Sequence, residues 1–149
     1  MGKMGGSAAA DIDAPIERCW EIVADLASAA DWQEGLTSVE VVEVGDDGKA
    51  IVVDSVNDAK LRKLASRLRV GYEEPTRVWW HQERGDLKRV DGSWTLEDLG
   101  GDRTRATYRL EIDPGRAIGM LVRGAAEQKL HGMLVEGRPA ELKRRAEAA

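Results

Sequence analysis

The chain reads as one α+β domain: a curved antiparallel sheet of roughly six to seven strands wrapped around a long C-terminal helix, with two short helices after the first strand. Three observations predict it. A helical stretch stands early, at about Pro15–Ala27. Nearly everything between Gly35 and Pro114 alternates in hydropathy with the period of a strand. A helical pattern returns only after Asp113.

Residues 1–8 of MGKMGGSAAA have no long apolar core and are expected to form a flexible tail without a secretion signal, leaving residues 9–149 as the domain. Strand one is placed near Ala9–Asp13. Pro15 suits the first helical position, where its fixed φ is pre-organised and its missing N–H would be unpaired anyway. Ile16, Cys19, Trp20 and Val23 follow at helical spacing and make one apolar stripe, on which Trp20 reads as core. A short helical turn at Ser28–Gln33 comes next. Leu36–Val44 alternates with an irregularity, GDDG at Gly45–Gly48 is a hairpin turn, and Ala50–Val56 is the returning strand.

The polar stretch Val56–Lys63 reads as loop. From Leu64 to Tyr72 the even positions Leu64, Ser66, Leu68, Val70 and Tyr72 share one face, which makes a half-buried strand. EEPT turns the chain into a strand at Arg77–Glu83, and RGD at Arg84–Asp86 turns it again. Leu87–Glu97 and Thr104–Asp113 form the last pair around LGGD.

The terminal helix begins near Asp113-Pro114, with Ile118, Val122, Ala126, Leu130, Met133 and Gly137 on one side. Gly119, Gly124, Gly132 and Gly137 each cost about 1 kcal/mol relative to alanine in a helix interior. Close approach to a sheet, or room left beside it, accounts for them. Pro139 lacks a backbone donor and is expected to kink or break the helix near Glu136–Arg138.

Where the tryptophans point decides what the interior holds, for the chain has five of them and no phenylalanine. In Trp79-Trp80, adjacent residues face opposite ways. A three-residue RGD loop pairs position 80 with 90 and puts Val78, Trp80, Gln82, Val90, Gly92, Trp94 and Leu96 on one coherently apolar face. A two-residue loop pairs Trp79 with Gly92 and turns His81 inward. The first register is preferred. On the following strand Ala106, Tyr108, Leu110 and Ile112 share a face, and Tyr108 is its one residue with a polar tip.

Composition removes several classes of function. The chain has 149 residues, enough for one real core, and a net charge of −5 with 33% charged residues, which provides no basic field for nucleic acid. The lone Cys19 excludes an internal disulfide or a multi-cysteine zinc site and reads as an inert buried thiol. No apolar run approaches the roughly 18 residues of a membrane span, and a cytoplasmic location is expected. His81 and His131 show no metal-ligand spacing. His81 with Glu83, and Arg89 with Asp91, read as cross-strand ion pairs on a solvated face. No phosphate loop, nucleophile elbow or paired-carboxylate motif occurs.

IDAPIERCWEIVADL followed by DWQEG resembles the opening of the START-like superfamily, also called SRPBCC or helix-grip proteins. GDLKRVDGSWTL and TRATYRLEID are similar to that family's glycine-aromatic strand and the threonine-rich strand after it. The resemblance runs from Asp11 to the C-terminus and is nearest to bacterial polyketide cyclase/dehydrase-like and coenzyme-Q-binding proteins. It implies the fold named above and a Trp near Trp32, and it allows aromatase/cyclase or dehydratase chemistry. It is poor for function, because these motifs build scaffold.

A sheet that curves further than one helix can fill leaves an interior space. The expected activity is therefore binding or transport of a small hydrophobic molecule (a lipid, quinone, polyketide or other aromatic), without cofactor, metal, nucleic acid or stable membrane insertion. The expected binding residues are Trp32, Leu68, Val70, Trp80, Gln82, Val90, Trp94, Tyr108, Val122 and Met133. A cyclase-type enzyme is the alternative, with Tyr108, Gln82 or His81 aimed inward. A protein-interaction module with a filled interior is the third possibility.

Overall fold

The computed structural model describes residues 4–58, 62–121, 128 and 131–148. Its strands are β1 (Met4–Ile12), β2 (Leu36–Val44), β3 (Ala50–Asp58), β4 (Lys63–Glu73), β5 (Arg77–Gly85), β6 (Arg89–Gly100) and β7 (Arg103–Asp113). They form one seven-stranded sheet in the order β1-β7-β6-β5-β4-β3-β2, antiparallel throughout. Helix α1 (Ile16–Ala24) and a 3₁₀ turn (Leu26–Asp31) join β1 to β2. After β7 come α2 (Gly115–Leu121), a π turn (Gly132–Glu136) and α3 (Arg138–Glu147). The order of elements is the one expected from the periodicities, and it is the helix-grip arrangement that the family resemblance implies.

β1 starts at Met4, so most of the stretch expected to be a flexible tail is strand. Met4–Ile12 pairs along its whole length with β7. The sequence hid this because SAAA and GG carry no hydropathy alternation, whereas an open β7 edge offers backbone partners to any extended chain. Gly5 is required there: a Cβ would stand 2.2 Å from the Leu110 carbonyl oxygen. At the strand's far end the buried Thr104 hydroxyl donates to the Ala14 carbonyl at 2.8 Å and ties β7 to the entry of α1.

Pro15 is extended (ψ 157°) and caps α1 one position before its first turn. Ile16, Cys19, Trp20, Ile22 and Val23 are the helix's buried face, as the spacing implies. β2 carries the expected irregularity as register shifts at Leu36/Ser38 and around Glu43. Gly45 and Gly48 close the β2–β3 hairpin, with Gly48 at φ +81°.

The β5–β6 hairpin corrects the predicted register while keeping its face. Trp80 pairs with Gly92 and Val78 with Trp94, two residues beyond the pairing expected from a three-residue loop. The turn falls at Asp86–Lys88 instead of Arg84–Asp86 because Asp86 is bound to the neighbouring strand. Its carboxylate accepts from Ala65 N–H at 2.8 Å, and its own N–H donates to the Ala65 carbonyl at 2.9 Å. A shift of two leaves strand parity unchanged. Val78, Gln82, Val90, Trp94 and Leu96 are therefore buried, and Trp80 lies on the inner face with them.

The two adjacent tryptophans each cover a glycine on a neighbouring strand, one on each side of the sheet. Trp80 lies over Gly92 and Trp79 over Gly71, and a Cβ on either glycine would come within 2.4 Å of the indole above it. Gly92→Ala is expected to lower unfolding free energy by about 1–3 kcal/mol, because Trp80 is confined by the packed interior. Gly71→Ala is expected to cost less than about 1 kcal/mol, since Trp79 on the outer face can tilt into solvent. Urea denaturation of both variants checks the order; equal losses would contradict the opposed facing.

The terminal region departs from a simple rod. Gly137 N–H donates to the Gly132 carbonyl at 2.9 Å, an i→i−5 bond that widens the helix just before Pro139, which sits in the first turn of α3. The expected kink is thus a π turn. Its extra residue rotates the helix beyond it, so the buried positions are Leu134, Val135, Arg138, Pro139, Glu141, Leu142 and Ala146, and not the face counted through Gly137. Ile118 is buried as expected; Val122, Ala126 and Leu130 lie outside the described residues. Gly132 has nothing within 4 Å of where a Cβ would stand, and Gly119 meets only Pro114 at 3.6 Å, so these glycines leave room and make no close contact with the sheet. α3 packs on β1, β7 and α1. No helix among the described residues is long and apolar enough to cross a membrane.

Candidate functional site

Between the inner face of the sheet and the helical elements lies a cavity of about 110 Å³. β4 contributes Leu64, Ser66 and Leu68; β5 and β6 contribute Trp80, Val90 and Trp94; β7 contributes Tyr108, Leu110 and Ile112. Val23 of α1, Leu26 and Ala29 of the 3₁₀ turn, and Gln33 close one side. Leu134 and Arg138 border it from the terminal helical region. The alternation of each strand sends every second side chain into this space, which is why so many of its walls are apolar.

An aromatic chain runs along the wall. Trp94, 1% exposed, lies 4.7 Å from Tyr108 and 6.0 Å from Trp32 between ring centroids. Tyr108 in turn lies 5.8 Å from Trp80. All these pairs are tilted, the arrangement that ring quadrupoles favour over a face-to-face sandwich.

Of the residues expected to bind ligand, Leu68, Trp80, Val90, Trp94 and Tyr108 border the cavity. Trp32 stands one ring behind, against Trp94. Val70 is buried opposite Trp80 but off the cavity, which lies toward the Leu64–Leu68 end of β4. Gln82 is also off it. Its amide is consumed inside the fold, accepting from Ser66 Oγ at 2.7 Å and donating to the Leu87 carbonyl at 2.8 Å. Val122 and the Met133 side chain lie outside what is described. His81 points outward, with Nδ1 2.6 Å from Asp91, which also holds Arg89 at 2.6 Å. Glu83 pairs with Arg69 and not with His81.

The sequence reading missed a buried ion pair at the cavity's edge. Arg138 Nη1 donates to Glu141 Oε1 at 2.9 Å and to the Glu34 carbonyl at 2.7 Å, and Glu141 Oε2 accepts from Glu34 N–H at 2.8 Å. Arg138 is 2% exposed and Glu141 7%. The pair therefore clamps the loop after Trp32 onto α3. Hydropathy places Arg and Glu outside, and only their i,i+3 spacing in RPAE hints at a pair.

Two donors are left over. Arg138 Nε and Trp32 Nε1 are buried without a hydrogen-bond partner among the described residues. Burial pushes the Tyr108 phenol up, and the nearby Arg138 guanidinium opposes that shift. Burial likewise pushes the Cys19 thiol up, in keeping with an unreactive core residue. The described residues hold no group of metal-ligating side chains.

The chain's two tyrosines make this electrostatic picture measurable. Burial, with Asp47 and Asp25 nearby, pushes Tyr72 up to about 12, and Tyr108 moves the same way. A raised folded value means that stability is complete below the ordinary tyrosine pKa of about 10 and is lost as pH rises through the folded value. Tyrosinate absorbance is expected to stay low past about pH 10 and to rise together with unfolding. Half-ionisation of either tyrosine near pH 10 in the intact fold would show it to be solvated.

The family model described as polyketide cyclase/dehydrase and lipid transport matches residues 12–136. Among curated proteins the chain has no match. A START superfamily protein from Mycobacterium smegmatis superposes with a TM-score of 0.82 at 19% identity, covering 96% of this chain and 97% of that one. A Thermus thermophilus protein does so at 0.80 and 24% identity, with the same coverages of 96% and 97%. The Zhui aromatase/cyclase from a Streptomyces species reaches 0.74 at 21% identity, covering 97% and 94%. At these identities the likeness shows the fold.

Proposed function

From the premise that the chain belongs to the polyketide cyclase/dehydrase and lipid-transport family, we propose that it binds a small hydrophobic molecule in its interior cavity. One observation supports this above the others: an apolar space of about 110 Å³ beside an aromatic wall of Trp80, Trp94 and Tyr108. Close-packed interiors do not leave such a space without consequence, because its lining forfeits contacts that a guest restores.

The volume also bounds the guest. An engineered apolar cavity of about 150 Å³ takes up benzene, whereas drug-sized ligands occupy roughly 300–1,000 Å³. The cavity therefore accepts about one ring or a short chain, and a whole lipid or a polyketide exceeds it. Binding is the reading that the geometry supports best.

Titration of the full chain with ethylbenzene, followed through the indole N–H resonances of the five tryptophans, tests the proposal. Trp80 and Trp94 border the cavity and are expected to shift, while Trp79, over Gly71 on the outer face, stays still. Absence of any shift with saturating ethylbenzene and with its ketone analogue acetophenone alike, or equal shifts at all five, would overturn it.

A further inference from the structure

Resting on that reading, we infer that the cavity selects a guest carrying a neutral hydrogen-bond acceptor, a ketone or ester oxygen, and that Arg138 Nε is the group that receives it. Three observations lead there. First, the Arg138 side chain borders the cavity and is 2% exposed, yet its Nε has no partner among the described residues. A guanidinium cannot shed this proton at any ordinary pH, so the N–H remains an unmet donor. Second, the polar end holds more than one donor. Trp32, packed on Trp94, has a buried Nε1 that also lacks a partner among the described residues. An apolar guest would leave Arg138 Nε unmet, and a site with an unpaired buried donor discriminates against such an analogue.

Third, the charge of Arg138 is already cancelled. Glu141 holds Nη1 at 2.9 Å, and its second oxygen is occupied by Glu34 N–H at 2.8 Å. A carboxylate or phosphate entering here would lose its hydration and stand beside an existing carboxylate, and among the described residues no free cation lines the cavity to offset either cost. A neutral carbonyl asks for one N–H and brings no charge. The favoured guest is accordingly a single-ring or short-chain ketone or ester, ahead of a plain hydrocarbon or a free acid of the same size.

The test uses three single-ring probes on the full chain: acetophenone, ethylbenzene and benzoate. Acetophenone is expected to bind about tenfold or more tighter than either of the others, the scale of one hydrogen bond to a charged donor. In Arg138→Lys, which keeps the charge but removes Nε, the ratio of acetophenone to ethylbenzene affinity is expected to fall to about threefold or less. Equal affinity for acetophenone and ethylbenzene in the unaltered chain would overturn the inference while leaving hydrophobic binding intact. So would benzoate binding tightest, or a preference that survives in Arg138→Lys. Failure of every probe to bind would remove the cavity-binding reading itself. The comparison on the unaltered chain stands even where the variant does not fold.

Discussion

Trp94→Ala is expected to lower the free energy of unfolding by about 3–5 kcal/mol, the range for deleting a buried tryptophan. Trp94 is 1% exposed and pairs across the sheet with Val78, which is fully buried. Its ring is held between Tyr108 at 4.7 Å and Trp32 at 6.0 Å. Removing it breaks both aromatic contacts and leaves a void that the strands cannot close, since the backbone of β6 is paired on both sides. Such a loss is a large fraction of the roughly 5–15 kcal/mol that keeps a domain folded. The void also opens onto the existing cavity of about 110 Å³, so naphthalene, too large for one ring's space, is expected to gain entry in the variant. Trp79→Ala is the control. On the outer face, stacked on Arg77 at 4.8 Å, its removal is expected to cost less than about 1.5 kcal/mol. Urea denaturation followed by circular dichroism decides the matter, and a Trp94→Ala loss no larger than that of Trp79→Ala would contradict its central place.

The aromatic wall was legible in the sequence because it depends on strand parity alone. Trp80, Trp94 and Tyr108 occupy alternate positions on strands whose inner faces are apolar, and a register error of two residues on β5–β6 leaves each on the same side. The α1 stripe was legible for a similar reason, through a period of 3.6. The position of the β5–β6 turn was not, because Asp86 binds Ala65 on β4, a contact between residues far apart in the chain. β1 was cut short because backbone pairing to β7 leaves no mark in a run of glycine, serine and alanine. The polar end of the cavity escaped altogether. Its residues face inward only because the π turn before Pro139 adds one residue to the helix, and hydropathy alone assigns Arg138 and Glu141 to solvent.

That buried pair should behave unlike the exposed ion pairs among the described residues. Arg138→Met leaves the Glu141 carboxylate 7% exposed in its present setting with one backbone donor, Glu34 N–H, and no cation. Glu141→Met leaves the guanidinium with the Glu34 carbonyl but no anion. Each single change is expected to cost about 3–5 kcal/mol, the penalty for an uncompensated buried charge. The double variant removes both charges and replaces them with flexible apolar chains. Only the Glu34 backbone groups then lose their partners, and stability is expected to return to within about 2 kcal/mol of the parent. The two changes thus oppose each other strongly, with a coupling of about 4 kcal/mol or more. Salt separates this pair from those on the outer face of the sheet. Arg69–Glu83, with side chains 54% and 36% exposed, is screened at about 1 M ionic strength, whereas the buried pair is not. The double-mutant cycle run at low and high salt therefore gives the same coupling for Arg138–Glu141 and a vanishing one for Arg69–Glu83. Additive losses in the first cycle would mean that Arg138 and Glu141 are each solvated, and the clamp on the loop after Trp32 would then hold nothing in place.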